Sequence, residues 1–96
     1  MISTKERAYL RSIAQKQEPL VLIGKGGISP TVLDSIEVLL DKRELIKIRL
    51  LQNSGLECKQ ASKIICENLN ADGVQCIGNV LVIYKRSNRD DIKHIL

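Results

Sequence analysis

Residues 20–30 place a glycine-rich tetrapeptide between four aliphatic residues and a helix start. The run at 20–23 has the length and composition of a β-strand covered on both faces. After the glycines, Ser29 is a typical helix N-cap and Pro30 suits the first helical position. A strand, a short loop and a helix in this order predict a second, parallel strand that completes a β-α-β unit.

That second strand is predicted at residues 45–51, where apolar and basic residues alternate. Lys47 and Arg49 would share one face of the sheet. The opposite, core-facing side would carry Ile46, Ile48 and Leu50. The intervening helix has apolar residues at helical spacing and should end near residues 41–43.

The segments on either side of this unit also have clear periodicities. Ser3 and Glu6 form a capping box that predicts a first helix at 4–16, ended before Pro19. A third helix is predicted at 57–69 and should be stopped by Asp72-Gly73. Its buried stripe would comprise Ala61, Ile64, Ile65 and Leu69.

Two strands at 74–77 and 80–84 should follow as a hairpin, since Gly78-Asn79 is a typical two-residue turn. The 96 residues therefore predict a single α/β domain of order α-β-α-β-α-β-β, with helices packed against a four-stranded mixed sheet. Its core would span about 3–86. The charged tail at 87–96 could fray, or could dock through Ile92, Ile95 and Leu96.

Gly24-Lys25-Gly26-Gly27 suggests a phosphate ligand, because glycines let backbone N–H groups approach an anion and the lysine adds a positive charge. The mononucleotide pattern GxxxxGK[ST] does not fit. The dinucleotide pattern GxGxxG fits poorly, since Ser29 replaces its third glycine and Glu44 precedes the second strand. A GxxG loop of the KH type, which clamps an RNA backbone, fits directly. A glycine-rich turn without a ligand is the structural alternative.

Charge favours a polyanion as the partner of this loop. Residues 1–28 hold five Lys or Arg against two Glu, and residues 85–96 hold four against two Asp, whereas the middle of the chain is close to neutral. Solubility alone would explain a net charge of +4 almost as well. Tyr9 and Tyr84 are the two aromatic residues, expected partly buried, so a surface that stacks bases on aromatic rings is disfavoured.

Nothing in the chain indicates catalysis, a metal or a cofactor. His94 lies in the charged tail without a serine or cysteine placed to use it, which predicts a solvated side chain in a protein that is not an enzyme. The spacings of Cys58, Cys66 and Cys76 match no zinc or CxxC pattern, so these are expected to be mostly buried thiols. With no signal peptide or membrane-spanning run, a cytoplasmic protein that does not contact membranes is expected.

Several of these segments, in this order, resemble the CRM domain (chloroplast RNA splicing and ribosome maturation) in its stand-alone bacterial YhbY form. The resemblance covers about residues 3–86, and its segments are 5–11, 23–28, 44–48, Gly78 and 80–84. It implies a fold like that of the carboxy-terminal domain of translation initiation factor three, in agreement with the element order above. After the second strand, residues 52–55 differ from the cysteine and proline of many relatives, which leaves the shape of that loop open.

The resemblance also implies RNA binding without catalysis, in association with precursors of the large ribosomal subunit and its RNA. The protein is expected to be a monomer. The GxxG loop corresponds directly to Gly24, Lys25, Gly26 and Gly27. Further candidate RNA-binding residues are the basic side chains Lys5, Arg7, Arg11, Lys16, Lys47, Arg49, Lys85 and Arg86. The alternative function is a protein-interaction module that makes no direct RNA contact and docks a partner through apolar helix faces or the edge of the hairpin.

Overall fold

Helices and strands alternate along the chain as the sequence predicts. The computed structural model describes residues 2–96. Its helices are α1 (Thr4–Ala14), α2 (Pro30–Arg43) and α3 (Cys58–Leu69), with a 3₁₀ turn at Gln52–Ser54. Its strands are β1 (Val21–Ile23), β2 (Leu45–Leu50), β3 (Asp72–Ile77) and β4 (Val80–Tyr84). The α-β-α-β-α-β-β order is thus confirmed.

The four strands form one mixed sheet in the order β1-β2-β4-β3. β1 runs parallel to β2, with Leu22 opposite Arg49, and the other two neighbouring pairs are antiparallel. The β3–β4 hairpin turns at Gly78-Asn79, where Gly78 adopts φ +59° as the first turn residue. The β-α-β unit and the hairpin therefore combine into one sheet, as expected.

Helices cover the two faces of the sheet unequally. α2 and α3 both pack on one face, where Ile36, Ile65 and Ile48 belong to the main apolar core. α1 lies on the opposite face, here called the α1 face, and Leu10 packs there with Val82 and neighbouring apolar residues. Because α1 is a single short helix, it covers the half of this face that contains Leu45 and Tyr84 and leaves the other half open.

Capping residues explain where the helices begin and end. The capping box of Ser3 and Glu6 is formed, with hydrogen bonds of 2.9 and 3.1 Å, and the Ser29 hydroxyl accepts from the backbone N–H of Val32. α1 ends at Ala14, two residues earlier than predicted. The predicted stop of α3 at Asp72-Gly73 is wrong, because Asn70 ends the helix in a left-handed conformation with φ +57° and lets β3 begin at Asp72.

Two predictions of burial are also wrong. α1 does not extend over β1, so Leu22 is 60% exposed on the α1 face and the strand is not covered on both faces. Tyr9 is 52% exposed on α1, although Tyr84 is buried as expected. The three cysteines are free thiols that are largely buried against the main core, as expected.

The carboxy-terminal tail is docked, which the sequence left open. Ile95 and Leu96 pack against the apolar residues of the α1 face, and Glu44 forms hydrogen bonds with the tail. Glu44 is 1% exposed, and its carboxylate accepts hydrogen bonds from the N–H groups of Ser87 (2.7 Å) and Ile95 (2.8 Å). The prediction of a solvated His94 is wrong, because its Nδ1 lies 2.7 Å from Glu44 Oε2.

Candidate nucleic-acid interface

The glycine loop folds into a hydrogen-bonded turn directly after β1. The N–H of Gly27 donates to the carbonyl of Gly24 at 3.0 Å, so Lys25 and Gly26 are the two exposed residues at its tip. Gly27 adopts φ +65°, which a residue with a side chain accepts poorly, and this conformation redirects the chain into α2. The sequence Lys-Gly-Gly is thus suited to a tight turn with a cation at its tip.

The donors available to an anion at this turn are fewer than the glycine count suggests. The N–H of Gly27 is used inside the turn, the Ser29 hydroxyl occupies the N–H of Val32, and Pro30 has no N–H to offer. Within residues 2–96, the N–H groups of Lys25 and Gly26 have no hydrogen-bond partner. The N–H of Thr31, in the first turn of α2, is likewise without a partner in the described residues. Both places therefore offer backbone donors, and the tip of the turn adds the positive charge of Lys25.

Neighbouring segments hold the base of the turn in place. A Cβ on Gly24 would lie 3.4 Å from Asn53 Oδ1 and 3.5 Å from Leu51 Cδ1, so the 3₁₀ turn packs closely against this glycine. Leu51 also donates its N–H to the carbonyl of Ile23 at 2.8 Å. Space around Gly26, by contrast, is open, since no atom would lie within 4 Å of its added Cβ. The turn thus has a fixed base and a free tip.

Lys47 and Arg49 alternate with core residues of β2 and point to the α1 face, as predicted. The Lys47 ammonium donates to the carbonyl of Gln17 at 3.2 Å, whereas the exposed Arg49 guanidinium has no hydrogen-bond or ion-pair partner in residues 2–96. Arg49 lies in β2 one residue before Leu50, which pairs with the last residue of β1. This cation is therefore at the same end of the sheet as the glycine turn.

The basic residues of α1 lie across the other half of the α1 face. Arg7 donates from Nε to the carbonyl of Gly73 at 3.1 Å, which anchors the first half of α1 at β3. Lys5 is exposed nearby in the first turn of the helix, and Arg11 is half-buried one turn after Arg7. Lys16 is exposed just beyond α1, next to the segment that contacts Lys47.

Lys85 and Arg86 follow β4 and therefore lie at the opposite end of the sheet from the glycine turn. Arg86 donates to the carbonyl of Leu96 at 2.6 Å and so takes part in docking the tail. A cleft of about 300 Å³ between α2 and residues 85–88 includes Glu37 and Asp41 beside these two cations. Its mixed charge makes it a poor match for a polyanion.

Ion pairs are distributed just as unevenly as the basic residues. Those found within residues 2–96 join Arg89 to Asp41 and Asp91 at the tail end of the domain, where His94 also forms a hydrogen bond with Glu44. Arg89 holds the pKa of the Asp91 carboxyl at about 2. Within residues 2–96, Lys25 and Arg49 at the other end have no carboxylate at ion-pairing distance.

Sequence reasoning did not identify the residues that fix the turn, Leu51 and Asn53, or the exposed apolar residues of the open half of the α1 face. Leu22 and Ile77 are 60% and 64% exposed there. The alternation in β2 predicts the face of the sheet on which Arg49 lies, but no local pattern predicts which strands are the neighbours of β2. No helix in the described part of the chain is long and apolar enough to span a membrane, and residues 2–96 contain no cluster of metal-ligating side chains.

Comparison with known proteins gives a family match over most of the chain. The sequence profile of the CRS1/YhbY (CRM) domain matches residues 2–85. The chain belongs to the CRM domain family. Its relatives include the probable RNA-binding protein YqeI of Bacillus subtilis, which is 33% identical over 94% of both chains. An RNA-binding protein of Haemophilus influenzae is 34% identical, over 96% of this chain and 93% of that one.

The same CRM fold is found in a solved structure. The solution structure of a hypothetical protein from Staphylococcus aureus superimposes with a TM-score of 0.77, at 35% identity and over 95% of each chain. The mixed four-stranded sheet with three helices is therefore a feature that this CRM domain shares with a relative. The curated relatives are named as RNA-binding proteins and not as enzymes, which agrees with the absence of catalytic motifs in the sequence.

Proposed function

We propose that this CRM domain binds RNA through its sugar-phosphate backbone, with the glycine turn as the main contact. The observation that supports this most is the tip of the turn, where an exposed lysine and two unpartnered backbone N–H groups occur together. A phosphate needs both hydrogen-bond donors and positive charge, and the tip offers both without a competing carboxylate. Lys47 and Arg49, with the α1 cations Lys5, Arg7, Arg11 and Lys16, would extend the contact over the α1 face.

Lys85 and Arg86 would have a smaller role in this proposal. Both follow β4 at the far end of the sheet, and Arg86 is engaged with the tail. One RNA strand that passes over the turn would need to cross the full length of the sheet to reach them. Their replacement should therefore affect binding less than replacement of Lys25.

The test is a binding titration of an RNA oligonucleotide over a series of salt concentrations. Lys25→Glu should weaken binding roughly tenfold to a hundredfold, because a hydrogen-bonded charge is worth about 1.5–3 kcal/mol. It should also lower the slope of log K against log salt by about 0.7 to 0.9, because the variant neutralises one phosphate fewer than wild type. The melting temperature should not change, since Lys25 has no partner in residues 2–96.

Two further variants distinguish a direct contact at the glycine turn from a general effect of net charge on RNA binding. Lys59→Glu makes the same charge change on the exposed surface of α3 and should leave the affinity within about twofold, as expected of a remote charge under screening. Gly26→Ala adds a methyl group where the protein itself has open space, so the fold should be unaffected while close approach of a phosphate is hindered. If Lys59→Glu weakens binding as much as Lys25→Glu, the turn is not the contact.

We further propose that the RNA is that of the precursor large ribosomal subunit, and that the protein acts on it in the cytoplasm as a monomeric assembly factor. Support comes from the family and from the absence of an enzymatic site in the sequence. Cells that lack the protein should accumulate incomplete large subunits on a sucrose gradient, and wild type but not Lys25→Glu should restore the normal profile. Restoration by Lys25→Glu would refute the link between the turn and assembly.

A further inference from the structure

An uncovered row of side chains crosses the α1 face of the sheet from edge to edge. The strand register places Leu22 opposite Arg49, Arg49 opposite Val80, and Val80 opposite Ile77. These four residues, here called the uncovered row, therefore point to the same side of the sheet. Four strands about 4.8 Å apart give the row a span of roughly 14 Å.

The row is exposed although it is mostly aliphatic. Leu22 and Ile77, its two ends, are among the most exposed large apolar residues of the described chain, and Val80 between them is half-buried. α1 does not reach them, because it packs over the half of the face that contains Leu45 and Tyr84. Three aliphatic side chains aligned in one row are unusual on a surface that a folded domain leaves to water.

The charge and the position of the uncovered row indicate which kind of partner can bind there. Arg49 is its one charged member and has no partner in residues 2–96, and the next row along the sheet contributes Lys47 with Gln75 and Val82. Neither row contains a carboxylate. Leu22 is also two residues before Gly24, so the row begins directly beside the glycine turn. A partner that is anionic and has apolar surfaces fits both observations.

We infer that the uncovered row binds unpaired nucleotides of the RNA whose backbone the glycine turn holds, an inference that rests on the proposed function. The faces of nucleobases are apolar and can lie on Leu22, Val80 and Ile77, and the planar Arg49 guanidinium can stack on a base as well. Bases in a duplex are already stacked on one another and cannot lie flat on this surface. The row would therefore direct the domain to single-stranded segments.

An RNA that lacks bases separates this contact from the phosphate contact. Two fluorescent decanucleotides with the same number of phosphates serve as probes, one of mixed sequence and one with abasic inner positions. The double variant Leu22→Ser/Ile77→Ser should bind the intact oligonucleotide about tenfold more weakly, since two largely exposed aliphatic side chains would no longer be covered by bases. On the abasic oligonucleotide the decrease in affinity should be under twofold, and the salt slope should equal that of wild type.

A second variant and a matched control accompany the double variant. Arg49→Lys keeps the charge but removes the planar group, and should weaken binding of the intact oligonucleotide severalfold with little effect on the abasic one. Val38→Ser makes a comparable change at an apolar residue that is 54% exposed on α2, away from the sheet face, and should change neither affinity. All the substituted side chains are exposed, so thermal melting should confirm a folded domain in each case.

The outcomes distinguish this inference from the proposed function. If the double variant lowers the affinity for both oligonucleotides equally, or for neither, the uncovered row does not contact bases. Weaker binding of both oligonucleotides by Lys25→Glu would still support the proposed phosphate contact at the glycine turn. A wild type that binds neither oligonucleotide at low salt would overturn both proposals. If sedimentation shows a wild-type dimer that the double variant abolishes, the row is a protein interface and the inference is wrong.

Discussion

Replacement of Glu44 by glutamine tests how far one buried carboxylate stabilises this domain. Glu44 Oε1 accepts from the N–H of Ile95, and Oε2 accepts from Ser87 N–H and His94 Nδ1, all at 2.7–2.8 Å. A carboxylate can only accept, so Nδ1 of His94 carries the proton in this pair. Glutamine has nearly the same shape but no charge, and its NH₂ group would face at least one of these donors.

The expected loss of stability follows from the number of hydrogen bonds. A bond to an ionised acceptor contributes about 1.5–3 kcal/mol and a neutral one about 0.5–1.5, so each of three bonds weakens by roughly 1 kcal/mol. Glu44→Gln should therefore lower the free energy of unfolding by about 3 kcal/mol. The loss cannot grow much beyond this value, because the tail would then detach and water would satisfy the donors. The melting temperature should fall by roughly 10–20 °C for a domain of this size.

The stability difference between wild type and Glu44→Gln should depend on pH in a defined direction. Burial raises the pKa of Glu44, but the hydrogen bonds from His94, Ser87 and Ile95 outweigh it, so the net pKa lies below the ordinary value of 4.5. Stability from the ionised group is thus fully present above pH 4.5 and is lost as the pH falls through the folded-state pKa. Since glutamine does not titrate, the gap between wild type and variant should be full at pH 7 and should narrow below pH 4.5.

Urea unfolding at pH 7 and pH 3 measures this gap. Glu37→Gln is the control, because Glu37 is exposed on the same helix and accepts no hydrogen bond in residues 2–96. Limited trypsin digestion reports the tail itself, and cleavage after Lys93 should be faster in Glu44→Gln. A gap below about 0.5 kcal/mol at pH 7, the size of an ordinary surface effect, would refute the reasoning. A gap that is equally large at pH 3 would also refute it.

Two further predictions concern a glycine and a thiol. Gly27→Ala should lower the free energy of unfolding by about 1–2 kcal/mol because of its φ of +65°, whereas Gly26→Ala should be neutral in the same denaturant titration; equal effects would refute this account of the turn. Burial, followed by the neighbouring Cys76, raises the pKa of Cys58 to about 12, so iodoacetamide at pH 8 should leave Cys58 unmodified until the protein is denatured. Peptide mass spectrometry checks this, and rapid labelling of Cys58 in the folded protein would contradict it.

Local signals in the sequence were sufficient for most of the elements. Ser29-Pro30 marks the start of α2, and Gly78-Asn79 joins two β-branched runs, because caps and turns depend on a few adjacent residues. The exposure of Leu22 could not be predicted in this way. A run of four aliphatic residues is compatible with a central or an edge strand, and the position of β1 in the sheet depends on pairing with distant residues.

The tail contact was hidden for a related reason. Glu44 and His94 are 50 residues apart, and nothing near either one indicates the other. Glu44 also has φ +65° without being glycine, a conformation that closes α2 and turns the carboxylate inward. Of the candidate site, the sequence could identify the glycine turn and the face of Lys47 and Arg49. It could not identify the neighbours of the turn, because these come from the segment after β2, which only the pairing of β1 with β2 brings beside the turn.

The proposed binding residues lie at one end of the sheet, and the residues that dock the carboxy-terminal tail, here called the tail lock, lie at the other. Gly24–Gly27, the 3₁₀ turn and the hairpin turn lie at one end, and Asn79 joins the hairpin turn to the end of β2 by donating to the carbonyl of Leu50 at 3.0 Å. Glu44, His94 and Arg89 lie at the other. Stability and ligand contact usually compete when one set of residues must provide both. Here a substitution in the tail lock can change how much protein is folded without changing the affinity of each folded molecule, so the two properties can be adjusted independently.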